Sequence, residues 1–145
     1  MGRYGMSFAK KLTEEGRYEE AIAEATREID SGKGGPEIHA ERAAAYELLE
    51  RWSDAVDDFE RAIMLDRDEH VLELDLIDDA YFSTLLSAAR IDAENDVDAG
   101  VARLDRYATL LPSGNHRKDV IDWTMRLRGE LVSTLDKTRD MDKSP

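Results

Sequence analysis

The chain has 145 residues, 37% charged and 41% hydrophobic, and contains no cysteine. That is enough for one domain with a continuous core. It excludes disulfides, thiol catalysis and thiolate metal sites. A formal net charge of −13 is concentrated in residues 37–98, which carry 5 basic and 19 acidic side chains, whereas residues 99–145 carry 9 and 7. Such a field repels nucleic acid and anionic lipid and steers in a basic partner; a solvated acidic face is the plainer reading of the same charges.

No run of about 18 apolar residues is present, so no membrane span is expected. The opening MGRYGMSFAKKL has no apolar signal-peptide core, and a cytoplasmic setting is expected. With three prolines, few β-branched residues, and abundant Ala, Leu, Glu and Arg, the composition favours an all-α protein.

In chain order, residues 3–14 predict a first helix with Tyr4, Phe8, Ala9 and Leu12 on one face, ended by Gly16. Residues 18–31 predict a second, with Tyr18, Ala21, Ile22, Ala25 and Ile29 on its face and Glu19 and Glu20 placed to complement its dipole. Ser31 to Gly35 is a loop, and Pro36 opens the third helix where its missing N–H costs nothing. A short break at Glu50–Ser53 separates this helix from a fourth, and so short a break joins an antiparallel helix pair. A longer helix over about 74–94 follows a loop, and Asp96 is the candidate N-cap of the next. Asn115 is the candidate cap of a last helix over 116–138, with Val120, Thr124, Leu127, Leu131 and Leu135 as its stripe. Residues 139–145 read as a flexible tail.

The segment GRYEEAIAEATREI (16–29) aligns with ERWSDAVDDFERAI (50–63) at an offset of 34 residues, placing Tyr18 on Trp52, Ala21 on Ala55, Ile22 on Val56 and Ile29 on Ile63. Upstream, Ala9 falls on Ala43 at the same offset, and DVDAGVARLDRYATLLP (96–112) supplies a third copy at an offset of 45. A helix pair repeated at 34 residues resembles the tetratricopeptide repeat family. The resemblance implies a right-handed α-solenoid of three helix-turn-helix repeats, about 2–35, 36–68 and 80–113, with a capping helix over 116–138, in one domain over 1–138. Small residues Ala9, Ala43 and Ala88 on the first helices, and Ala21, Ala55 and Gly100 on the second, would let each pair close. Four positions depart from the family pattern: Arg42 and Ser87 replace a usual leucine, and Glu28 and Tyr107 a usual small residue.

The resemblance also implies a function. Family members bind peptides in a concave groove lined by the first helix of each repeat. Carried onto this chain, the groove positions are Met6, Lys10 and Thr13; Glu37, Ala40, Ala44 and Glu47; and Phe82, Leu85, Ala89 and Asp92. Lys10 matches one member of the family's Lys/Arg/Asn clamp for a terminal carboxylate. Ala40, Ala44, Leu85 and Ala89 stand where further polar members belong, so that clamp is absent. Small and apolar residues with an acidic margin suit another protein's amphipathic segment with a basic edge. The expected role is an adaptor or assembly scaffold, with no nucleic acid or membrane as partner. The alternative is a self-associating protein whose groove or C-terminal helix face is buried in a homo-oligomer.

No chemical motif competes with this reading. Lys33-Gly34-Gly35 lacks the Gly-Lys-Ser/Thr of a phosphate loop. The acidic run from Asp92 has Val97 and Arg103 where a calcium loop needs Gly and Glu. His39, His70 and His116 have no partner histidine at helical spacing. No catalytic residue, cofactor or metal is expected.

Overall fold

In a computed structural model, residues 7–129 are described; they are all-helical, with no strand among them. Met6, the last helix beyond residue 129 and the tail 139–145 lie outside the described residues. Six helices follow in order: α1 (Phe8–Glu14), α2 (Tyr18–Asp30), α3 (Pro36–Leu48), α4 (Trp52–Glu69), α5 (Leu74–Asn95) and α6 (Val97–Leu110). Residues 117–129 are helical up to the last described residue, and are called α7 here. The chain divides into two compact units, Met1–Thr84 and Leu85–Pro145, with the division inside α5.

In the first unit, α1 begins at Ser7, whose hydroxyl accepts the Lys10 N–H at 3.0 Å, and α3 begins with Pro36 in its first turn. α1 packs on α2, α3 packs on α4, and α3 also contacts α2 and α1. Two apolar clusters join the first three helices. Ala9, Ala25 and Ile38 form one with Ile29; Leu12, Ala21 and Ala45 form the other with Ile22. The alanines at the crossings let the backbones approach, and Ala43, Ala55, Phe59 and Ala62 are buried on α3 and α4. Tyr81 of α5 is fully buried and donates its hydroxyl to Glu60 at 2.7 Å.

The 34-residue period is visible in the backbone as well as the side chains. The turn between α1 and α2 places Gly16 at φ 80, and the turn between α3 and α4 places Glu50 at φ 57. The next residues, Arg17 (φ −96, ψ 65) and Arg51 (φ −88, ψ 72), have nearly the same conformation. Their N–H groups bond Leu12 O and Tyr46 O, both at 2.9 Å. Each arginine also forms an exposed ion pair three residues on, Arg17 with Glu20 and Arg51 with Asp54. The turn between α5 and α6 is different: Asp96 is extended and caps α6 by accepting the Asp98 N–H at 3.0 Å, as the sequence predicts.

The additional residues between the second and third copies are taken up mostly as helix. α4 continues through Glu69 and α5 starts at Leu74, leaving a short connection. His70 there is left-handed at φ 53, and buried Asp66 accepts the N–H groups of Val71 and Leu72 at 2.7 and 3.0 Å.

In the second unit, a Cβ on Gly100 of α6 would lie 2.6 Å from Ala89 O and 2.8 Å from the Ala93 methyl, so only glycine permits this approach to α5. Val101, Leu104, Tyr107 and Leu110 are buried on α6, and Val120 and Leu127 on α7. α7 starts at residue 117, one residue after the expected start. His116, rather than Asn115, directly precedes its first helical residue, and the His116 ring meets Asp119 at 2.8 Å. That carboxylate sits in the first turn, where it offsets the cations Arg117 and Lys118 beside it. Tyr107 is fully buried, and its hydroxyl accepts the His116 N–H at 2.9 Å. A Cβ on Gly114 would come within 2.1 Å of that hydroxyl.

Candidate functional site

The first unit has a cleft of about 250 Å³ between α1 and α3, lined by Lys10, Thr13, Glu14, Ala40, Glu41 and Ala44. Helical spacing builds it. Lys10, Thr13 and Glu14 lie on one side of α1, and Ala40 and Ala44, one turn apart on α3, keep the floor low because neither extends beyond a methyl group. Thr13 turns its hydroxyl back to Ala9 O at 3.1 Å, which leaves its methyl for the cleft.

Glu41 closes the cleft on one side. It accepts the hydroxyl of Ser7, the N-cap residue of α1, so that α3 and the start of α1 are joined there. Burial raises the Glu41 carboxyl above its ordinary range, Glu28 and Glu37 push the same way, and Ser7 and Lys10 oppose them. A second cleft of about 270 Å³ shares Glu41 and is bordered by Glu28, Glu37, Glu69 and Lys33. Together the two hollows have a small-residue floor and a rim dominated by carboxylates.

Of the predicted groove residues, Lys10, Thr13, Ala40 and Ala44 meet in the first cleft, and Glu37 borders the second. Met6 lies outside the described residues. Glu47 is half-buried; burial raises its carboxyl and a hydrogen bond with Thr84 opposes that rise. Phe82, Leu85 and Ala89 are buried at 9%, 0% and 0% exposure, so their side chains offer almost no free surface. Asp92 is occupied by Arg103, whose Nε lies 2.6 Å from its carboxylate. Asp98, from the same acidic run, accepts Arg128 at 3.0 Å.

Three polar residues outside the predicted set also shape the first unit. Glu14 and Glu41 complete the cleft, and Asp58 of α4 pairs with Arg42 of α3. Asp58 is 4% exposed and takes a two-point contact from Arg42, Nε and Nη2 to its two oxygens at 2.7 and 2.8 Å. Arg42 also donates to the Thr26 hydroxyl at 3.0 Å, and the His39 ring lies 3.4 Å from Asp58. One guanidinium thereby joins α2, α3 and α4. Hydrogen bonding to Asp58 raises the Arg42 pKa further, so it stays charged throughout the accessible pH range. The signal for Asp58 was in the sequence: an arginine in place of a core leucine requires a buried acid opposite it.

Among the described residues no helix is long and apolar enough to cross a membrane. No family model, curated protein or solved structure matches this chain.

Proposed function

We propose that this protein is a tetratricopeptide-like binding module, three helix pairs and a capping helix, that acts as a cytoplasmic adaptor or scaffold without catalysis. The observation that carries the reading is the cleft between α1 and α3. It unites four groove positions, Lys10, Thr13, Ala40 and Ala44, over a floor of methyl groups, with Glu14 and Glu41 on its rim. Alanines admit bulky apolar side chains, and the rim favours Lys or Arg at the edge of the same segment. The ligand is therefore an amphipathic peptide or helix of another protein with a basic margin.

Fluorescence anisotropy with a labelled amphipathic peptide bearing lysines along one edge tests this. Wild type is expected to bind, and Ala44→Arg, which fills the floor with a like charge, to weaken binding at least tenfold, about 1.4 kcal/mol. Circular dichroism should be unchanged, because Ala44 is only half-buried. Equal binding by wild type and Ala44→Arg would overturn the reading.

A further inference from the structure

Glu41 lines both the α1–α3 cleft and the second hollow of about 270 Å³, so the two hollows adjoin along α3. From α3, residues 40, 41 and 44 line the first, and residues 36, 37, 38 and 41 line the second. The two sets are offset by roughly one helical turn, about 5.4 Å. Pro36, Ile38 and Val71 give the second hollow an apolar wall.

The two hollows differ in charge. In the first, Lys10 stands with Glu14 and Glu41; in the second, Lys33 stands with Glu28, Glu37, Glu41 and Glu69. Among the described residues, Glu28, Glu37 and Glu69 make no ion pair, and neither does Lys33, so the excess of carboxylates in the second hollow is not neutralised within the unit. Glu41 is half-buried with a serine hydroxyl as its donor, and Lys10 acts on it from the first hollow. An apolar wall below free carboxylates fits a long cationic side chain, whose methylene stem packs on the wall while its head meets the acids.

We infer that the two hollows form one bipartite site, which selects a partner helix by two side chains one turn apart: an apolar residue over Ala40 and Ala44, and a Lys or Arg in the second hollow against Glu37, Glu41 and Glu69. Residues i and i+4 of a helix share a face at this spacing, whereas i and i+2 do not. The inference rests on reading the first cleft as a peptide site, and it fixes where on the ligand the basic residue stands.

Fluorescence anisotropy on the full chain tests it with three labelled helical peptides. One carries Leu and Arg at i and i+4, the second carries them at i and i+2, and the control has Leu with Gln in place of Arg. The first is expected to bind about tenfold more tightly than either of the others. Glu37→Gln/Glu69→Gln, at two exposed positions, should abolish that advantage and leave the control's affinity unchanged. Lys33→Gln, which removes the opposing charge, should enlarge it. If the control binds and is weakened by Ala44→Arg while Arg adds nothing, the peptide site stands and the bipartite site falls. If none of the three binds, both fall. Equal binding at the two spacings, or an advantage that survives Glu37→Gln/Glu69→Gln, would also overturn the inference.

Discussion

The two units solve the same problem, closing one helix on the next, with different chemistry. In the first, α3 meets α2 and α4 around a buried charge pair, Arg42 and Asp58, completed by Thr26 and His39. In the second, α5 meets α6 through the absence of a side chain at Gly100, and α6 meets α7 through one tyrosine hydroxyl above Gly114. Arg42 stands where the resemblance implies a leucine, and Tyr107 where it implies a small residue. Arg42 is accommodated by Asp58 together with Thr26, and Tyr107 by the space at Gly114 and the His116 N–H. An unusual residue at a core position is informative when its compensating partner can be found, and here each partner is placed by the structure.

The largest effect expected from breaking this comparison is at the charge pair. Asp58→Ala leaves Arg42 buried against Thr26 without its acid, and should cost about 3 kcal/mol in equilibrium urea unfolding. Arg42→Leu with Asp58→Leu, which restores an apolar contact, should recover most of that loss. Double-variant stability no better than Asp58→Ala would show that the pair contributes more than charge compensation.

Next come the close approaches of the second unit. Gly100→Ala forces a methyl into Ala89 O and Ala93, and should cost about 2 kcal/mol. Gly114→Ala should cost a similar amount, and less in a Tyr107→Phe background, where the hydroxyl it would strike is gone. Additive losses across that double-mutant cycle would refute the pairing of Tyr107 with Gly114.

The repeated turn gives a smaller and oppositely signed pair. Gly16→Ala should destabilise by about 1 kcal/mol, because an L side chain there is held at positive φ. Glu50→Gly at the equivalent position should be stabilising by up to about 1 kcal/mol. Melting temperatures that move in the same direction for both variants would contradict the equivalence of the two turns.

The smallest effect is on pH. Glu41 and Glu47 have carboxyls raised chiefly by burial. A carboxyl that holds its proton more tightly in the fold than in the unfolded chain favours the fold in its protonated form. Their contribution is therefore fully present below the ordinary glutamate range and is lost as pH rises through the folded-state values. Glu47→Gln should raise stability at neutral pH and flatten the mildly acidic side of a stability–pH curve. A curve of unchanged shape would argue against burial as the cause.

Much of the all-helical fold was legible because 3.6-residue periodicity, Gly16, Pro36 and Asp96 all act locally. Each marks its helix terminus without reference to the rest of the chain. The candidate site was legible only in part. Lys10, Thr13, Ala40 and Ala44 come from groove positions that the family resemblance implies on two neighbouring helices, and a repeat offset transfers such positions well. Burial of Phe82, Leu85 and Ala89 depends on what surrounds a helix that runs longer than its counterparts, and an offset carries no such information. Glu41 and Asp58 were missed for a related reason. An acidic residue in a strongly acidic stretch looks like solvated surface until its hydrogen-bond partner is placed beside it.

The connection between α3 and α4 has a consequence for how the chain reaches its structure. Leu49, Glu50 and Arg51 alone join these helices, so little loop-closure entropy stands between their collapse and the burial of Ala55, Phe59 and Ala62. Contacts close in sequence form early. The turn between α1 and α2 is equally short, but α3 and α4 are longer and bury more side chains, so folding of the first unit should nucleate in this hairpin, with conservative truncations at Phe59 slowing refolding and truncations at Leu12 chiefly hastening unfolding. The helix pair that defines the repeat would then also be the first part of the chain to acquire it.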